Sequence, residues 1–195
     1  HPYTVTESNY EIQCLQPEAA NRHAVFLVTP RESLSYHYER NPDDPRIAHS
    51  MNLTTDRFGN GTHALSIVYP RQGAGHSEEQ TRLYATLEES LLLHCDDEID
   101  WFRHSIPCGA RSFEIHHLKS LYQAEKFALD GAEGLRKQFE QFFKITNDGS
   151  LFQDEIELLK ALDHAEMPAG EQPQLRLLTE NRIKYTDNDL RTPLP

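Results

Sequence analysis

Apolar and polar residues alternate with a period of two through much of the chain, which predicts β-strands with one buried face. Leu34, Tyr36 and Tyr38 form the first clear set, each separated from the next by a polar residue. Residues 41–45 contain two prolines. We expect the strand to end there, because proline lacks an amide donor and restricts the residue before it.

The same alternation resumes after the prolines and returns beyond a turn. Its apolar members are Ile47, Met51, Leu53, Leu65, Ile67 and Tyr69. Residues 56–61 contain Asp, Asn and two glycines, which adopt the left-handed backbone conformations that a tight reversal requires. With an alternating strand at residues 3–16, this pattern predicts a long antiparallel hairpin region over residues 1–71.

Further strands are predicted both before and after the hairpin turn at residues 56–61. The continuous apolar run at residues 24–28 is typical of a strand buried on both faces, and Pro30 is expected to end it. Alternation returns at residues 79–92, 111–117 and 174–185. The glycine-containing residues 72–77 have the composition of a flexible connection.

The period changes between residues 119 and 165, where the sequence predicts a helical insertion. The positions with helical spacing are Leu135, Phe139, Phe142 and Phe143 in one helix and Ile156, Leu159 and Leu162 in a second. We expect the phenylalanine stripe to pack on the sheet, with docking of a partner as the alternative. The single segment 1–195 then divides into the hairpin region (1–71), a strand unit (78–118), the insertion (119–165) and a second strand unit (172–195).

The two strand units share a loose internal repeat. Residues 80–107 and 174–195 each run from a strand through a polar loop to an arginine and a proline. A repeated unit that cannot close a core alone is typical of a stacked or wound sheet. The predicted fold class is therefore mainly β, built from antiparallel hairpins.

Composition narrows the classes of partner. The chain has 195 residues and a formal net charge of −12, which argues against nucleic acid and anionic membranes as partners because both attract clustered Lys and Arg. No apolar run approaches the ~20 residues that cross a bilayer, and no signal peptide is recognisable. Because the sequence starts at His1 without a methionine, we expect a segment of a longer protein. Its three unpaired cysteines indicate synthesis in a reducing compartment.

Candidate chemistry is sparse. The soft ligands available for zinc are His94, Cys95, His104 and Cys108, but no pair has the spacing of a zinc finger or ribbon. The acidic residues 96–100 lack the pattern of a calcium loop. His116 and His117 are expected on opposite faces of a strand, and His37 and His49 on polar faces. We therefore expect no catalytic, cofactor-binding or metal-binding residue.

Several phrases, taken in order, resemble the middle-to-C-terminal region of the B component of insecticidal toxin complexes, the TcB family. The most specific is Tyr-Glu-Arg-Asn-Pro at residues 38–42, followed by Asp-Pro-Arg-Ile at 44–47. The other matching phrases are residues 5–10, 23–26, 30–34, 59–60, 67–71, 79–81, 103, 107–108 and 182–190. The resemblance covers nearly the whole chain, with residues 118–172 and the loop 73–76 departing from the family pattern.

The resemblance implies a structural role. In that family the B and C components wind long antiparallel sheets, related to Rhs and YD repeats, into a shell that encloses the toxic C-terminus of the C component. A β-propeller elsewhere in B docks on the pore-forming A component, and the complex acts as a secreted toxin. The family's self-cleavage residues lie in the C component. By this resemblance, the chain is a non-catalytic segment of the shell wall, without membrane contact of its own.

Two other functions remain as alternatives from the residues themselves. A metal-dependent hydrolase would use the histidines and the acidic loop. An extracellular carbohydrate-binding β module would use Tyr36, Tyr38 and Trp101 as exposed aromatic residues. Asn52 and Asn60 also begin triplets that fit the rule for N-glycosylation.

Overall fold

In the part of the chain that the structure describes, seven strands form one antiparallel sheet in which each strand pairs with the next. The computed structural model describes residues 3–19, 22–96, 102–118, 162–171 and 173–186. The strands are β1 (Thr4–Gln16), β2 (Val25–His37), β3 (Arg46–Thr55), β4 (Gly61–Val68), β5 (Tyr84–Cys95), β6 (Arg103–His116) and β7 (Gln174–Arg182). A short 3₁₀ helix, Glu78–Thr81, precedes β5. The prediction of a mainly β fold of antiparallel hairpins is confirmed.

One face of the sheet carries the core. The strand register places one apolar residue from each of five successive strands side by side, in the order Met51, Leu65, Leu87, Phe113 and Leu177, of which the first four are buried and Leu177 is partly buried. Leu65 is completely inaccessible to solvent, and Leu34, Ile67 and Tyr69 belong to the same cluster. These residues alternate with exposed neighbours because successive side chains of a strand point to opposite faces. The period-two pattern therefore predicted the core face of β3 and β4 correctly.

The opposite face is lined by short polar side chains. The register aligns Ser8, Ser33, Ser50, Ser66 and Thr86 in one row across β1–β5. Ser50 and Ser66 are exposed. The two faces of the central sheet thus differ sharply in character, one apolar and buried and the other hydroxyl-rich.

The apolar run at the start of β2 is exposed, and the prediction that it is buried on both faces was wrong. Val25, Phe26 and Val28 are each about half exposed, because this part of β2 pairs with β1 but has no ladder to β3. Pro30 does not end the strand. It lies at a register shift opposite Tyr10, where a residue without an amide donor is tolerated.

Two other boundaries differ from the sequence-based expectation. β6 begins at Arg103 and continues through Pro107, next to a register shift against Leu92 of β5. Leu162 is not helical: its amide donates to the carbonyl of Leu175 and its carbonyl accepts from the amide of Leu177, so it lies along β7. The predicted helices otherwise lie outside the described residues.

Candidate functional site

The most specific sequence phrases fold into one ion-pair cluster, the loop cluster, formed by Glu39, Asp44, Arg46, Arg71 and His76. Glu39 pairs with Arg46 and, at 3.0 Å, with Arg71. Asp44 accepts hydrogen bonds from Arg71 Nε at 3.2 Å, from the Gln72 amide at 2.9 Å and from His76. The cluster therefore joins the β2–β3 loop to the connection after β4, and residues 72–77 are fastened to Asp44 at two points.

The charged side chains of the loop cluster shift each other's pKa values. Burial of Asp44 by its neighbours opposes ionisation, but the bonds from Gln72, His76 and Arg71 outweigh it and lower the pKa of this carboxyl to about 2. Burial likewise opposes the charge on Arg71, yet Glu39 and Asp44 raise the pKa of its guanidinium. Both groups are consequently charged at neutral pH and hold the two loops together.

A second cluster, the core cluster, lies within the apolar face and consists of Asn9, Glu32, His49 and Tyr69. His49 Nε2 is 3.1 Å from Glu32 Oε2, and His49 Nδ1 is 3.0 Å from the Tyr69 hydroxyl. Asn9 Nδ2 donates to Glu32 Oε1 at 3.2 Å. The expectation that His49 lies on a polar face was wrong: it is 4% exposed and lies on the same face as Ile47 and Met51.

The geometry of the core cluster fits a neutral imidazole. Nε2–H donates to the Glu32 carboxylate, which leaves Nδ1 free to accept the Tyr69 hydroxyl hydrogen. Burial lowers the pKa of His49, and the hydrogen bond and charge of Glu32 oppose this shift without overcoming it.

A third set of polar residues, with His63 and Glu89 buried, crosses the sheet from β3 to β6. Thr54 Oγ1 lies 2.7 Å from His63 Nδ1, and His63 Nε2 lies 3.5 Å from Glu89, which also pairs with Arg111. Burial of Glu89 opposes ionisation, but contacts with His63 and Arg111 lower the pKa of this carboxyl to about 2. An ionised Glu89 thereby links β4, β5 and β6.

The β3–β4 turn is built around Asp56. Its Oδ1 accepts the amides of Phe58 and Asn60, both at 2.9 Å, and its Oδ2 lies 3.0 Å from His94 Nε2 on β5. The Phe58 ring lies between the rings of His94 and His104, with centroids 4.7 and 4.8 Å away. The turn is thus clamped to the end of the β5–β6 hairpin.

The structure does not join the four soft ligands into a metal site. His94 is committed to Asp56 and to the Ser105 amide, and His104 contacts Ser105 and Phe58. Within the residues that the structure describes, no group of three or more His, Cys, Asp or Glu side chains could hold a metal ion. His116 and His117 have ring centroids 6.3 Å apart, and His116 contacts Glu114.

The aromatic residues proposed for sugar binding do not form an exposed platform in the described part of the chain. Tyr36 and Tyr38 are both half-buried and stack on each other with centroids 6.4 Å apart, and Tyr36 packs against the core. Trp101 lies outside the described residues. The side chain of Asn52 donates to the carbonyl of Pro30, and that of Asn60 donates to Asp56.

One open cleft of about 550 Å³ lies beside β5 and β6. Its polar lining includes Arg82, Tyr84, Glu114, His116 and Glu171. Glu114 and His116 pair with each other, and Glu114 also binds Arg176 of β7. Glu114 thereby joins β6 to β7 at the cleft.

Sequence reasoning missed the pairing of histidines with carboxylates across strands. His49–Glu32, His63–Glu89, His76–Asp44 and His94–Asp56 each join two separate strands or loops. The only available signal was that His49 and His63 have the same parity as the apolar residues of β3 and β4.

The fold and these clusters define an antiparallel β-sheet in which buried ion pairs join neighbouring strands. Residues 1–103, which include β1–β5, match the family described as the insecticide toxin TcdB middle/C-terminal region. Because this match covers more than half of the sequence, the chain belongs to that family.

Solved structures of toxin complexes have the same fold. The chain is 25% identical to a chain of the TcdB2–TccC3 complex without the hypervariable C-terminal region, with a TM-score of 0.61 over 100% of this chain. For TcdB2–TccC3 itself and for TcdB2–TccC3–Cdc42 the identity is 26% and the TM-score 0.60, over 99% of this chain. The chain spans 8% of the length of each of these chains. A comparison with curated proteins found no match.

Among the residues described, no helix has the length and apolar character needed to cross a membrane.

Proposed function

We propose that this chain forms part of the wall of a toxin shell, which encloses a toxic effector and takes part in its delivery. The observation that carries the proposal is the order of the described strands, each of which, from β1 to β7, pairs with the next described strand along the chain. A sheet of this kind extends as a surface, because each added strand widens it without needing contacts elsewhere in the chain.

The polar clusters support a wall-forming role. Buried Asp44, His49 and Glu89 each contact side chains of neighbouring strands or loops. An ionised buried group that lost its partner would be costly, so such pairs fix strand register and resist slippage. In this proposal the segment contributes rigidity and no chemical step of its own.

The proposed partners follow from family membership. The solved relatives are complexes of TcdB2 with TccC3. We propose that the corresponding C component completes the shell and supplies the enclosed effector. Contact with the A-component pore is made through a propeller outside this segment, and the assembled complex acts after secretion. The four regions predicted from sequence are proposed as parts of this one wall.

Protection of the effector from protease tests the proposal. The full-length B component is produced with its C component as wild type and as Leu65→Asp, which buries a charge at the centre of the core row. Ser66→Asp is the matched control, because it adds the same charge to the exposed face of β4. We expect the effector to be digested in the Leu65→Asp complex and protected in the other two.

Protection that survives Leu65→Asp in a stably assembled complex would contradict a role in the wall. The two alternative functions have their own readouts. Stoichiometric zinc in the wild-type protein that is lost with Cys95→Ser would support the hydrolase. Binding to a glycan array that is lost with Trp101→Ala would support the carbohydrate-binding module.

A further inference from the structure

The open side of β1–β4 carries a field of short hydroxyl side chains, the hydroxyl face, defined here by Thr6, Ser8, Ser33, Ser35, Ser50 and Ser66. The strand register places them in adjacent rows, because every second residue of a strand points to the same side. Ser8, Ser50 and Ser66 are exposed. The other side of these strands is closed by the core, in which Leu34 and Leu65 are almost inaccessible to solvent. The hydroxyl face is therefore the side that a partner can reach.

The hydroxyl face is almost free of charge. Where β2, β3 and β4 pair, its only formally charged side chain is Arg46, which stands opposite His37 at the end of the ladder and pairs with Glu39. Glu88 of β5 lies at the far margin. The positions between the hydroxyl groups are filled by Ala48, Asn52, Ala64 and Val68. A surface that faces bulk water commonly carries about 25–35% charged residues, so this composition is unusual for the outside of a soluble protein.

The backbone beneath the hydroxyl face offers no free strand edge. β2, β3 and β4 each pair with a neighbour on both sides. An extended polypeptide binds tightly to a sheet when it pairs with the amide and carbonyl groups of an unpaired edge. Against this face it meets hydroxyl groups instead, each of which both donates and accepts hydrogen bonds. Such contacts are weak and do not depend on the sequence of the partner.

An exposed apolar patch continues the hydroxyl face beyond Ser8. Tyr10 and Ile12 follow Ser8 on the same side of β1, and their partners on β2 are Pro30 and Val28. Tyr10, Ile12 and Val28 are each more than half exposed. A shallow groove of about 170 Å³ joins the patch to the hydroxyl groups, and its lining includes Ser8, Tyr10, Pro30 and Ser66. Exposed apolar patches of soluble proteins mark interaction sites, so the whole surface combines hydroxyl and apolar contacts almost without charge.

We propose that the hydroxyl face lines the lumen of the shell and is the surface against which the enclosed effector polypeptide lies, an inference that rests on the wall-forming role proposed above. The near absence of charge indicates the kind of partner. A charged wall would hold effectors of opposite charge and repel those of like charge. One TcdB2–TccC3 structure with the same fold was solved without a hypervariable C-terminal region. For the complex of this chain, an effector that varies in the same way needs a wall without charge preference.

Photocrosslinking in the full-length B component, assembled with its C component, tests the proposal. The photoreactive residue p-benzoylphenylalanine replaces either Ser66 or Ser8 of the hydroxyl face. Glu7 is the matched control position, because it is also exposed and neighbours Ser8 on the opposite side of β1. We expect crosslinks to the effector from positions 66 and 8 and none from position 7. Mass spectrometry should locate them at many places along the effector, because the contacts do not depend on its sequence.

Protection of the effector from protease, measured on the same complexes, separates this inference from the proposed function. The inference is overturned by a protected effector that crosslinks from position 7 and not from positions 66 and 8, since the lumen would then lie on the other side of an intact wall. A protected effector that crosslinks from none of the three positions overturns it as well. The same holds if positions 66 and 8 crosslink to a second B component or to the shell part of the C component instead. Digestion of the effector in the wild-type complex would remove the proposed function, and this inference with it.

Discussion

Glu89 shows how a single buried charge contributes to the stability of this sheet. It is 5% exposed, and its contacts with His63 and Arg111 lower its pKa from 4.5 to about 2. A carboxyl whose folded pKa is depressed stabilises the fold above its unfolded pKa. That contribution is lost as the pH falls from about 4.5 towards 2.

We predict that Glu89→Gln lowers the free energy of unfolding at pH 7 by up to about 3 kcal/mol, since one pKa unit corresponds to about 1.4 kcal/mol. The difference from wild type should shrink below pH 4. Urea unfolding at pH 7 and pH 3 measures both values. Glu88→Gln, at the exposed neighbouring position, should change the free energy by less than about 0.5 kcal/mol. Equal effects of the two variants would contradict the account.

Individual residues also show what could and could not be predicted from the sequence. Alternation identified the core positions of β3 and β4, because a strand with one buried face repeats every two residues. The alternation also places His49 on the same strand face as Ile47 and Met51. The polar character of histidine was given more weight than this position, so His49 was wrongly expected on the polar face. No signal in the sequence placed the side chain of Glu32 against His49, since that contact depends on the register between β2 and β3.

The loop cluster acts between elements, by fastening the β2–β3 loop to the connection after β4. We predict that Asp44→Asn destabilises the protein by about 1–3 kcal/mol, because Arg71 and His76 lose a charged acceptor. Trypsin should then cleave after Arg71, whose side chain is 9% exposed in the intact cluster. Asp43→Asn at the neighbouring exposed position should leave the cleavage rate unchanged.

The β3–β4 turn offers a second test at the scale of elements. Gly59 and Gly75 both have a left-handed backbone, with φ of +83° and +87°, so alanine should cost about 1 kcal/mol at either position. A Cβ at Gly59 would also press on Leu27 and Thr29, whereas nothing lies within 4 Å at Gly75. We predict that Gly59→Ala destabilises the protein by roughly 1 kcal/mol more than Gly75→Ala in thermal unfolding. Equal losses would show that Leu27 and Thr29 of β2 do not pack against the turn at Gly59.

The bounds of β2 and β6 show why a proline does not reliably mark the end of a strand. Pro30 was expected to end a strand but lies inside β2 at a register shift, and Pro107 lies inside β6 next to another. At a register shift the regular exchange of hydrogen bonds is already broken, so the missing amide donor is tolerated. Whether a proline ends a strand therefore depends on a partner strand that the local sequence does not reveal.

At the scale of the whole molecule, β1 lies at the edge of the sheet within the described residues. Beside this edge, the face that carries Ile12 and Val28 is exposed and apolar. We predict that the 195-residue chain alone associates or precipitates, because an open edge beside exposed apolar side chains pairs with other copies. The double variant Ile12→Lys with Val28→Glu should raise the monomer fraction measured by light scattering.

The matched control for this prediction is Ser66→Lys with Thr86→Glu, a directly opposed pair on the same face but far from β1. It adds the same charges, so a general gain in solubility would appear in both variants. A wild-type chain that is monomeric at high concentration would contradict the prediction.

The neighbour-to-neighbour order of the described strands also bears on how the protein is made. Because each strand from β2 onwards finds its earlier partner already synthesised, pairing can advance from the N-terminus as the chain leaves the ribosome. Such growth avoids the slow search for distant segments that delays many β proteins. A protein assembled in this way can become very long without a matching rise in folding difficulty, since the last strand to emerge meets the same simple task as the second.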